Sequence, residues 1–409
     1  MSGKKHAWTW LWVALGLALV IRTGVRDRGV ITDHLEFGHR VLSGLELYAP
    51  FEGQPLHPPY PPGFGLLTGP FSWLPERAAR FAWGIAQVLS LAAIGAWLLT
   101  MLRRLAPALE EKRHLILLIT AAVGSRFILR DTHGGGGNLI NLALSLSALA
   151  LAEKGRERGA GWLLGFSLAT KPTHILMLPL LCWMGRWRAA GHATVAALAF
   201  TGLSLLTLGQ GTAPLEQWAK GTWQYSTADD VFAEPAHGFP EFSWMNQSLR
   251  CAVARYAGDV PPRYADQVPG WVPGAGLDHV TTAWITRLLT AGLLLATALA
   301  AARSRPSGPA LTAAVLCLSL MLSPISWKAH HVALIPAFSL LVIRGMEGRR
   351  WAWWFLLGYA ALCLPGEEIT GKSLKQLQQS CYFVTLGTVS VWLLCLTKLD
   401  RARRDLPNR

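Results

Sequence analysis

The chain has 409 residues, of which 52% are hydrophobic and only 15% are charged, and its formal net charge is +14. A soluble domain of this length carries a larger charged fraction, so the composition excludes an ordinary water-soluble protein. The lysines and arginines lie at the ends of long apolar blocks, which indicates orientation in a membrane rather than nucleic-acid binding.

The apolar blocks predict an all-α integral membrane protein with about twelve transmembrane helices. The first block follows Lys4 and Lys5 as in a secretory signal, but Arg22-Thr23-Gly24 offers no small-residue cleavage site, so it is interpreted as a retained span. Because a bundle of spans packs as one unit, residues 1–409 are expected to form a single membrane domain. The predicted spans lie near residues 7–21, 80–102, 114–128, 138–152, 160–170, 173–185, 192–208, 281–302, 309–324, 331–343, 351–364 and 380–397.

The distribution of basic residues predicts the orientation of these spans. Alternate connecting loops are rich in lysine and arginine, which by the positive-inside rule places both chain ends in the cytoplasm. The expected location is the inner (cytoplasmic) membrane, with residues 22–79 and 209–280 as two long outer loops. Both loops are rich in Pro, Gly, Trp and Tyr. Long ordered loops are usually functional, so these loops are the expected active-site face, on the periplasmic or extracellular side.

The first outer loop contains "TDHLEFGHRVLSGLELYAP" (residues 32–50), which collects one aspartate, two glutamates and two histidines. The spacing of Asp33 and Glu36 predicts a capping pair for a short helix over residues 34–43, which Gly44 would end. One hypothesis is that Asp33 only caps this helix. The other is that its carboxylate acts as a general base at the membrane surface.

The next two unusual segments favour structural roles. The prolines of "HPPYPPGFGLLTGPFSWLP" (57–75) favour an extended spacer, followed by an apolar run too short to cross a bilayer. "RDTHGGGGNLIN" (130–141) lacks the Lys-Ser/Thr of a nucleotide-binding loop, so its glycines are interpreted as a close helix approach or a flexible turn. Asn138 and Asn141 are candidates for polar contacts at the start of a span.

"LATKPTHI" places Lys171 between two apolar runs. A buried ammonium is costly in such a place, so it marks either a functional pathway or a lysine that snorkels to the membrane surface. The functional hypothesis is a cation that binds phosphate, with His174 one helical turn further on.

Two later segments carry further candidate ligands. "MNQSLRCAVARY" contains Asn246 in a glycosylation sequon and Arg255 as a candidate phosphate or carboxylate partner. "SPISWKAHHVAL" contains His330 and His331, which as neighbours do not share a helix face and so do not form a metal site together. Interfacial polar residues and an anion-binding role remain the two hypotheses for this segment.

The sequence predicts no metal ion and no cofactor. The six cysteines show no paired ligand spacing and lie mostly within predicted spans, which fits packing rather than a disulfide framework or a zinc site. No group of carboxylates has the ligand spacing of a cation site.

Six segments, in order over about residues 30–345, resemble glycosyltransferase family 87, a group of enzymes that depend on polyprenyl-phosphate sugars. One difference concerns the glycine turn, where the family often has Gly-Gln-x-Asn and this chain has Gly136-Gly137-Asn138. The six segments are "TDHLEFGHRVLSGLELY" with "YPPGFGLL", "GGGGNLINLALSLSALAL", "GFSLATKPTHILMLPLL", "NQSLRCAVAR" and "SPISWKAHHV".

The resemblance implies a GT-C membrane fold and sugar transfer at the outer face, typically of mannose from polyprenyl-phosphate-mannose. It implies that Asp33 is the catalytic base, that Lys171 lies in the family's Lys-Pro turn and that the late histidine is His330 or His331. Side chains expected to bind substrate are Lys171, His331, His330, Arg255, Asn246, Tyr60 and Asn138.

These observations favour an inverting glycosyltransferase with a lipid or glycan acceptor. Asp33 would take the proton of the acceptor hydroxyl, and Lys171, His331 and Arg255 would stabilise the departing phosphate. A glycosidase would require two opposed carboxylates instead. Two alternatives are a transporter or flippase of a lipid-linked sugar or anion, for which no paired halves are visible, and a non-catalytic partner in an envelope-assembly complex. The sequence leaves the sugar and the acceptor open.

Overall fold

The structure is a computed structural model that describes residues 2–26, 29–49, 60–233, 241–304 and 308–397. Within these ranges the protein is helical, and its only β-structure is two isolated bridges. Three short 3₁₀ helices cover Pro107–Lys112, Pro172–His174 and Lys328–Leu334. The α-helices are α1 (Ser2–Gly24), α2 (Ile31–Ser43), α3 (Phe64–Ser72), α4 (Glu76–Leu105), α5 (Arg113–Gly134), α6 (Asn138–Glu153), α7 (Glu157–Thr170), α8 (Met177–Trp183), α9 (Trp187–Leu208), α10 (Ala213–Thr227), α11 (Leu249–Ala257), α12 (Pro262–Ala265), α13 (His279–Ser304), α14 (Gly308–Leu322), α15 (Ile335–Met346), α16 (Arg350–Cys363), α17 (Glu367–Ser380) and α18 (Phe383–Thr397).

Helices occupy all twelve segments that hydropathy predicts as spans, and the chain is a multi-pass membrane protein. The count of about twelve spans is not confirmed. Five of the described helices are long and apolar enough to cross a bilayer, or up to seven if each of two bent helix pairs is one span. Several of the remaining helices are shorter than the roughly 20 residues that a straight span needs. The five long helices are His6–Gly24, Glu76–Leu105, Trp187–Leu208, His279–Ala302 and Lys328–Met346.

Two predicted features lie outside the described residues. One is the first part of the proline-rich spacer, which includes Pro58 and Pro59, and the other is the basic tail after residue 397.

The chain divides into two compact units. The first unit contains Met1–Leu118 and Ile128–Gly221, and the second contains Ile119–Phe127 and Thr222–Arg409. Each unit has its own set of buried side chains. The prediction of one membrane domain over residues 1–409 stays a prediction.

In the first unit, small residues let helices approach closely. A Cβ atom at Gly38 of α2 would lie 2.6 Å from the backbone nitrogen of Gly69 in α3, so this pair of helices tolerates no side chain there. A Cβ atom at Gly165 of α7 would lie 2.6 Å from the carbonyl oxygen of Ala193 in α9. Such small-residue contacts are typical of helices packed in a membrane.

The predicted capping pair of Asp33 and Glu36 is wrong, although the helix itself is confirmed. Helix α2 begins at Ile31 after the N-cap residue Val30, and no side chain caps it. Asp33 is therefore the third helical residue, and the Glu36 carboxylate instead accepts a hydrogen bond from Arg40 Nε at 2.6 Å. Gly44 ends the helix in the left-handed conformation, as predicted, with φ of 67°.

In the second unit, an aromatic core holds the long loop against the helices. Phe242 is fully buried and contacts the rings of Phe232, Trp244 and Tyr264, with centroid distances between 4.5 and 5.0 Å. This packing supplies the order that the aromatic-rich composition of residues 209–280 predicts for the described part of that loop.

Candidate functional site

The turn between α7 and the 3₁₀ helix Pro172–His174 carries Lys171, a buried cation of the first unit. Helix α7 ends at Thr170 because Pro172 follows, and a residue before proline is biased towards extended conformations. Lys171 is extended, with φ of −155° and ψ of 94°, and Pro172 begins a short 3₁₀ helix. The Lys171 backbone N–H still donates to the Ser167 carbonyl at 2.8 Å, and the ladder stops at Pro172, which has no N–H.

Side chains of α6 hold this turn in place. The amide of Asn141 donates to the Thr173 hydroxyl at 2.8 Å, and the Ser145 hydroxyl lies 3.0 Å from Nδ1 of His174. Ser167 bonds to both Asn141 and Ser145, so the network is continuous from α7 to α6. A buried network in which the members satisfy one another rigidifies the residues around it.

The Lys171 side chain is only 6% exposed. Its ammonium lies 5.2 Å from the centroid of the Tyr60 ring, a cation–π distance, and donates no hydrogen bond to any described residue. Burial lowers the pKa of Lys171 to about 8, while the negative charge of Asp131 acts in the opposite direction. The ammonium is thus a buried cation with hydrogen-bonding capacity for an anion.

Tyr60 and His34 form the surface under this ammonium. Tyr60 stacks on Phe64 at 4.0 Å, and its hydroxyl lies 3.2 Å from Nε2 of His34. Burial, followed by the charge of Lys171, lowers the pKa of His34 to about 3, so its imidazole is neutral at physiological pH. The Lys171 ammonium therefore faces the Tyr60 ring, which is itself in contact with a neutral imidazole.

Asp33 lies near the same group of residues. It occupies the exposed side of the first turn of α2, whereas the next residue, His34, points into the aromatic cluster. Burial and then the charges of Asp131 and Asp33 raise the pKa of Tyr60, so Asp33 is within electrostatic range of the ring that carries Lys171. The structure thus brings Lys171 and Tyr60 into contact and places Asp33 within electrostatic range of Tyr60, while the roles of all three in substrate binding and catalysis stay predictions.

Asp131 is a buried acid that the sequence reasoning missed. Its carboxylate is inaccessible to solvent and accepts hydrogen bonds from the Asn138 amide at 2.6 Å and from the Leu139 backbone N–H at 2.9 Å. It therefore caps the first turn of α6, where an acid is favoured by the free N–H groups and the helix dipole. The predicted substrate ligand Asn138 is 6% exposed and bonds to this carboxylate.

The glycine run provides the space for this cap. Helix α5 ends at Gly134, and Gly135 adopts a left-handed conformation with φ of 73°. A Cβ atom at Gly136 would collide with the Asp131 carboxylate. Asp131 lies within α5, seven residues before Asn138, so its capping of α6 does not follow the local pattern of an N-cap residue.

Gln87 of α4 supplies an amide to the same turn. Its Nε2 donates to the carbonyl oxygen of Gly136 at 2.5 Å, and its Oε1 is buried without a hydrogen-bond partner in the described part of the chain. Gln87 thus reaches the glycine turn from α4, a helix that neither directly precedes nor directly follows the turn.

The two predicted histidines belong to the second unit. His331 is 1% exposed, donates from Nδ1 to the Trp327 carbonyl at 3.1 Å and packs against Phe127 at 5.4 Å between ring centroids. Nδ1 of His330 accepts a hydrogen bond from the Trp327 backbone N–H at 2.9 Å. Their expected contact with substrate stays a prediction.

Asn246 and Arg255, also in the second unit, have extensive protein partners. The Asn246 amide donates to the carbonyls of Glu241 and Pro324, both at 2.9 Å, and its oxygen accepts from two backbone N–H groups. Arg255 donates to the carbonyls of Ser380 and Val272 and stacks on Trp271 at 3.9 Å. Both side chains join distant segments of this unit.

Across the described ranges, no group of three or more His, Cys, Asp or Glu side chains is arranged to hold a metal ion.

Comparison with protein families decides the class of this protein. The sequence model of glycosyltransferase family 87 matches residues 59–324, which is more than half of the chain. The chain belongs to glycosyltransferase family 87. It is therefore an enzyme that transfers a sugar, which favours the predicted transferase over the transporter and the non-catalytic partner.

Three mycobacterial proteins are similar to this chain over most of its length. A polyprenol-phosphate-mannose-dependent alpha-(1-2)-phosphatidylinositol mannoside mannosyltransferase of Mycobacterium tuberculosis is 27% identical over 373 residues, covering 85% of this chain and 79% of that protein. A pentamannoside mannosyltransferase of the same species is 28% identical and covers 82% of this chain and 71% of that protein. Its counterpart in Mycolicibacterium smegmatis is 26% identical, with 76% and 67% covered. No solved structure matches the chain significantly.

The family match divides the candidate residues. Tyr60, Lys171 and Arg255 lie within the matched range, as do Asn138 and Asn246. Asp33 precedes that range, and the two histidines follow it. The family match therefore does not cover Asp33, and its connection to the matched residues is its electrostatic effect on Tyr60 in the first unit.

Proposed function

We propose that this enzyme transfers mannose from a polyprenyl-phosphate donor to a hydroxyl group of a lipid or glycan acceptor. The mycobacterial relatives are named for a polyprenol-phosphate-mannose donor and a phosphatidylinositol mannoside acceptor, which supports this choice of substrates. The proposal places the reaction at the outer face of the cytoplasmic membrane, because the predicted inner loops carry the basic residues. It includes a GT-C architecture, as the resemblance implies.

The observation that carries the proposal is the buried ammonium of Lys171. Burying a cation is costly unless a partner compensates it, and the described residues offer this ammonium an aromatic face but no hydrogen-bond acceptor. A donor phosphate supplies both negative charge and acceptor oxygens, and such charge-assisted hydrogen bonds are strong in a site without bulk water.

Asp33 is assigned as the general base of the reaction. Its carboxylate accepts the proton of the acceptor hydroxyl as the hydroxyl oxygen attacks the anomeric carbon from the face opposite the phosphate. The bond between that carbon and the phosphate oxygen breaks, and polyprenyl phosphate leaves with the electron pair. The configuration at the anomeric carbon is therefore inverted.

Lys171 acts on the other side of the sugar in this scheme. Negative charge builds up on the phosphate as the glycosidic bond breaks, and a fixed cation stabilises that charge more in the transition state than in the bound donor. Phosphate contacts by His330, His331 and Arg255, and substrate contacts by Asn246, Tyr60 and Asn138, remain predictions from the sequence.

The test compares Asp33→Asn with Glu46→Gln, because Glu46 is an exposed carboxylate in the same loop. The purified enzyme is given radiolabelled polyprenyl-phosphate-mannose and extracted lipids. Asp33→Asn is expected to lower kcat by about 100-fold or more while donor binding persists, because general-base catalysis contributes about 10²–10⁴-fold. Glu46→Gln should retain wild-type activity.

Two results would overturn the proposal in different ways. Full transfer by Asp33→Asn would remove this carboxylate from the chemistry. Failure of the wild-type enzyme to transfer label from polyprenyl-phosphate-mannose, together with transfer from a different lipid-linked sugar, would make the choice of mannose wrong.

A further inference from the structure

Asp131 and Lys171 are two buried groups of opposite charge in the first unit. Asp131 is inaccessible to solvent and Lys171 is 6% exposed. Burial raises the pKa of Asp131, while the charge of Lys171 and the hydrogen bonds from Leu139 and Asn138 favour its ionised form. The ionised carboxylate in turn favours the charged form of Lys171. They form no ion pair within 4 Å among the described residues, so the acid acts on the cation through space.

Helix α6 connects the two groups. Its first residues, Asn138 and Leu139, donate hydrogen bonds to the Asp131 carboxylate. One turn later the Asn141 amide donates to the Thr173 hydroxyl at 2.8 Å, two residues after Lys171. A rigid helix turn therefore fixes the acid and the lysine relative to one another.

The charge of Asp33 acts on Tyr60 but is not among those that shift the pKa of Lys171. The groups that contact or surround the ammonium are uncharged. His34 of α2 is neutral, and Tyr60 presents its ring. His174 of the 3₁₀ helix lies against Asn141 and Ser145. Asp131, at the end of α5, is the acid in the described chain whose charge favours the protonated lysine.

The hydrogen bonds of Asp131 explain why this acid leaves the ammonium available. Both of its oxygens accept hydrogen bonds from the N-terminus of α6, which hold the carboxylate there rather than in an ion pair with Lys171. A direct salt bridge would neutralise the cation and compete with a ligand for the same donors. A counter-ion at a distance supports the charge without that competition.

We propose that Asp131 is a positioning residue for the transfer reaction: a remote counter-ion that keeps Lys171 protonated and leaves its N–H groups for the donor phosphate. The inference rests on the proposed function for the identity of that ligand. Asp131 touches neither substrate nor the reacting atoms in this scheme and acts through Lys171. A purely structural cap of α6 would have no effect on the charge of the lysine.

The first experiment measures kcat/KM for the donor against pH in Asp131→Asn. Removing the negative charge should lower the pH at which Lys171 loses its proton, so the alkaline decline should move down by about one pH unit or more. The donor KM should rise more than kcat falls. Gln87→Met is the matched control, because it removes a buried hydrogen bond to Gly136 in the same turn but leaves the Asp131 carboxylate and its hydrogen bonds in place.

Lys171→Arg provides a second control in the same assay. A guanidinium stays protonated over the whole range, so the Lys171→Arg enzyme should show no alkaline decline, and adding Asp131→Asn to it should not produce one. An unmoved decline in Asp131→Asn, or an equal shift in Gln87→Met, would make the counter-ion role wrong.

The second experiment needs no catalysis. Melting temperatures are measured for wild type, Asp131→Asn, Lys171→Met and the double variant in the same detergent. Two interacting charges should give non-additive effects, with the double variant more stable than the sum of the single losses predicts. If Asp131→Asn alone does not fold, the double variant should still fold because no buried charge remains unpaired.

The inference would be wrong if the losses of melting temperature were additive, or if neither Asp131→Asn nor the double variant folded. Both results are independent of which sugar the enzyme transfers. Absence of mannose transfer by the wild-type enzyme, with non-additive melting, would instead overturn the proposed function and leave the charge coupling intact.

Discussion

Lys171 in the first unit and Arg255 in the second are both buried cations that the sequence predicts as phosphate ligands. The structure gives them different surroundings. Arg255 donates to two backbone carbonyls and stacks on Trp271, whereas the ammonium of Lys171 faces the Tyr60 ring and bonds to no described acceptor. The hydrogen-bonding capacity of Arg255 is partly used by the protein, and that of Lys171 is available to a ligand.

This difference separates a cation that joins chain segments from one that is available for chemistry. Burial alone does not make the distinction, because the two side chains are almost equally inaccessible, at 6% and 7%. What distinguishes them is whether the donors already have acceptors, since a buried donor without one is costly to keep. Substitutions in the two units therefore test the distinction directly.

The largest expected effect comes from Lys171→Met compared with Arg255→Met. Lys171→Met should lower donor kcat/KM by about 100-fold or more, the typical loss when one donor to a developing anion is removed. Arg255→Met should instead lower the free energy of unfolding by about 2–4 kcal/mol, because it leaves the Ser380 and Val272 carbonyls without their partner. Donor kinetics and thermal melting of both variants provide the measurement.

The comparison fails if the two variants exchange behaviours. Arg255→Met could instead keep a near-native melting temperature and lose activity roughly 100-fold, which is the typical effect of removing one donor to a developing anion. That result would place Arg255 at the phosphate. A Lys171→Met enzyme with unchanged donor kinetics would remove the lysine from the site.

The next effect concerns two buried asparagines, one in each unit. Asn246→Ala should cost about 3–5 kcal/mol of stability, because it deprives two carbonyls and two N–H groups of their partner. Asn138→Ala should cost less, about 1.5–3 kcal/mol, because it removes one side-chain hydrogen bond to the Asp131 carboxylate. Chemical unfolding of both variants in one detergent measures the difference, and equal losses would contradict it.

The sequence predicted the features that depend on local pattern. Hydropathy located every helical segment of the twelve predicted spans, and Gly44 was recognised as the end of α2 because its left-handed conformation is a local requirement. The start of α2 was predicted too late. The Val30 backbone N–H donates to the carbonyl of Gly134, a residue far away in sequence. Val30 is thereby the N-cap residue, and the helix begins before Asp33 without a side-chain cap.

The roles of the buried polar residues depend on contacts that a local pattern does not contain. The partners of Asn246 include the carbonyl of Pro324, and those of Arg255 include the carbonyl of Ser380. Both pairs are far apart in sequence, so these residues resembled ligands while their amide and guanidinium groups bind the chain itself. Asp131 was missed for a different reason, because the glycine run between it and α6 concealed a cap that closes over several residues.

The smallest change, Lys171→Arg, tests the charge of the first unit without removing it. Burial lowers the pKa of Lys171 from 10.5 to about 8, so transfer by the wild-type enzyme should fall about tenfold per pH unit above that value as the ammonium loses its proton. Stability should change in the opposite direction. Between pH 8 and 10.5 the unfolded lysine keeps a proton that the folded one has released, so the unfolded state binds more protons and the free energy of unfolding rises with pH.

An arginine at this position remains charged, so Lys171→Arg should abolish both the alkaline loss of transfer and the lysine's contribution to alkaline stabilisation. Initial rates and unfolding curves from about pH 7 to about pH 11 measure the two profiles over the range in which lysine titrates. Arg255 is charged throughout this range, so it contributes to neither profile. The two cations are buried to a similar extent but differ in whether they titrate, because one is a lysine and the other an arginine. If activity and stability fell together at alkaline pH in both enzymes, a group other than Lys171 would control the decline.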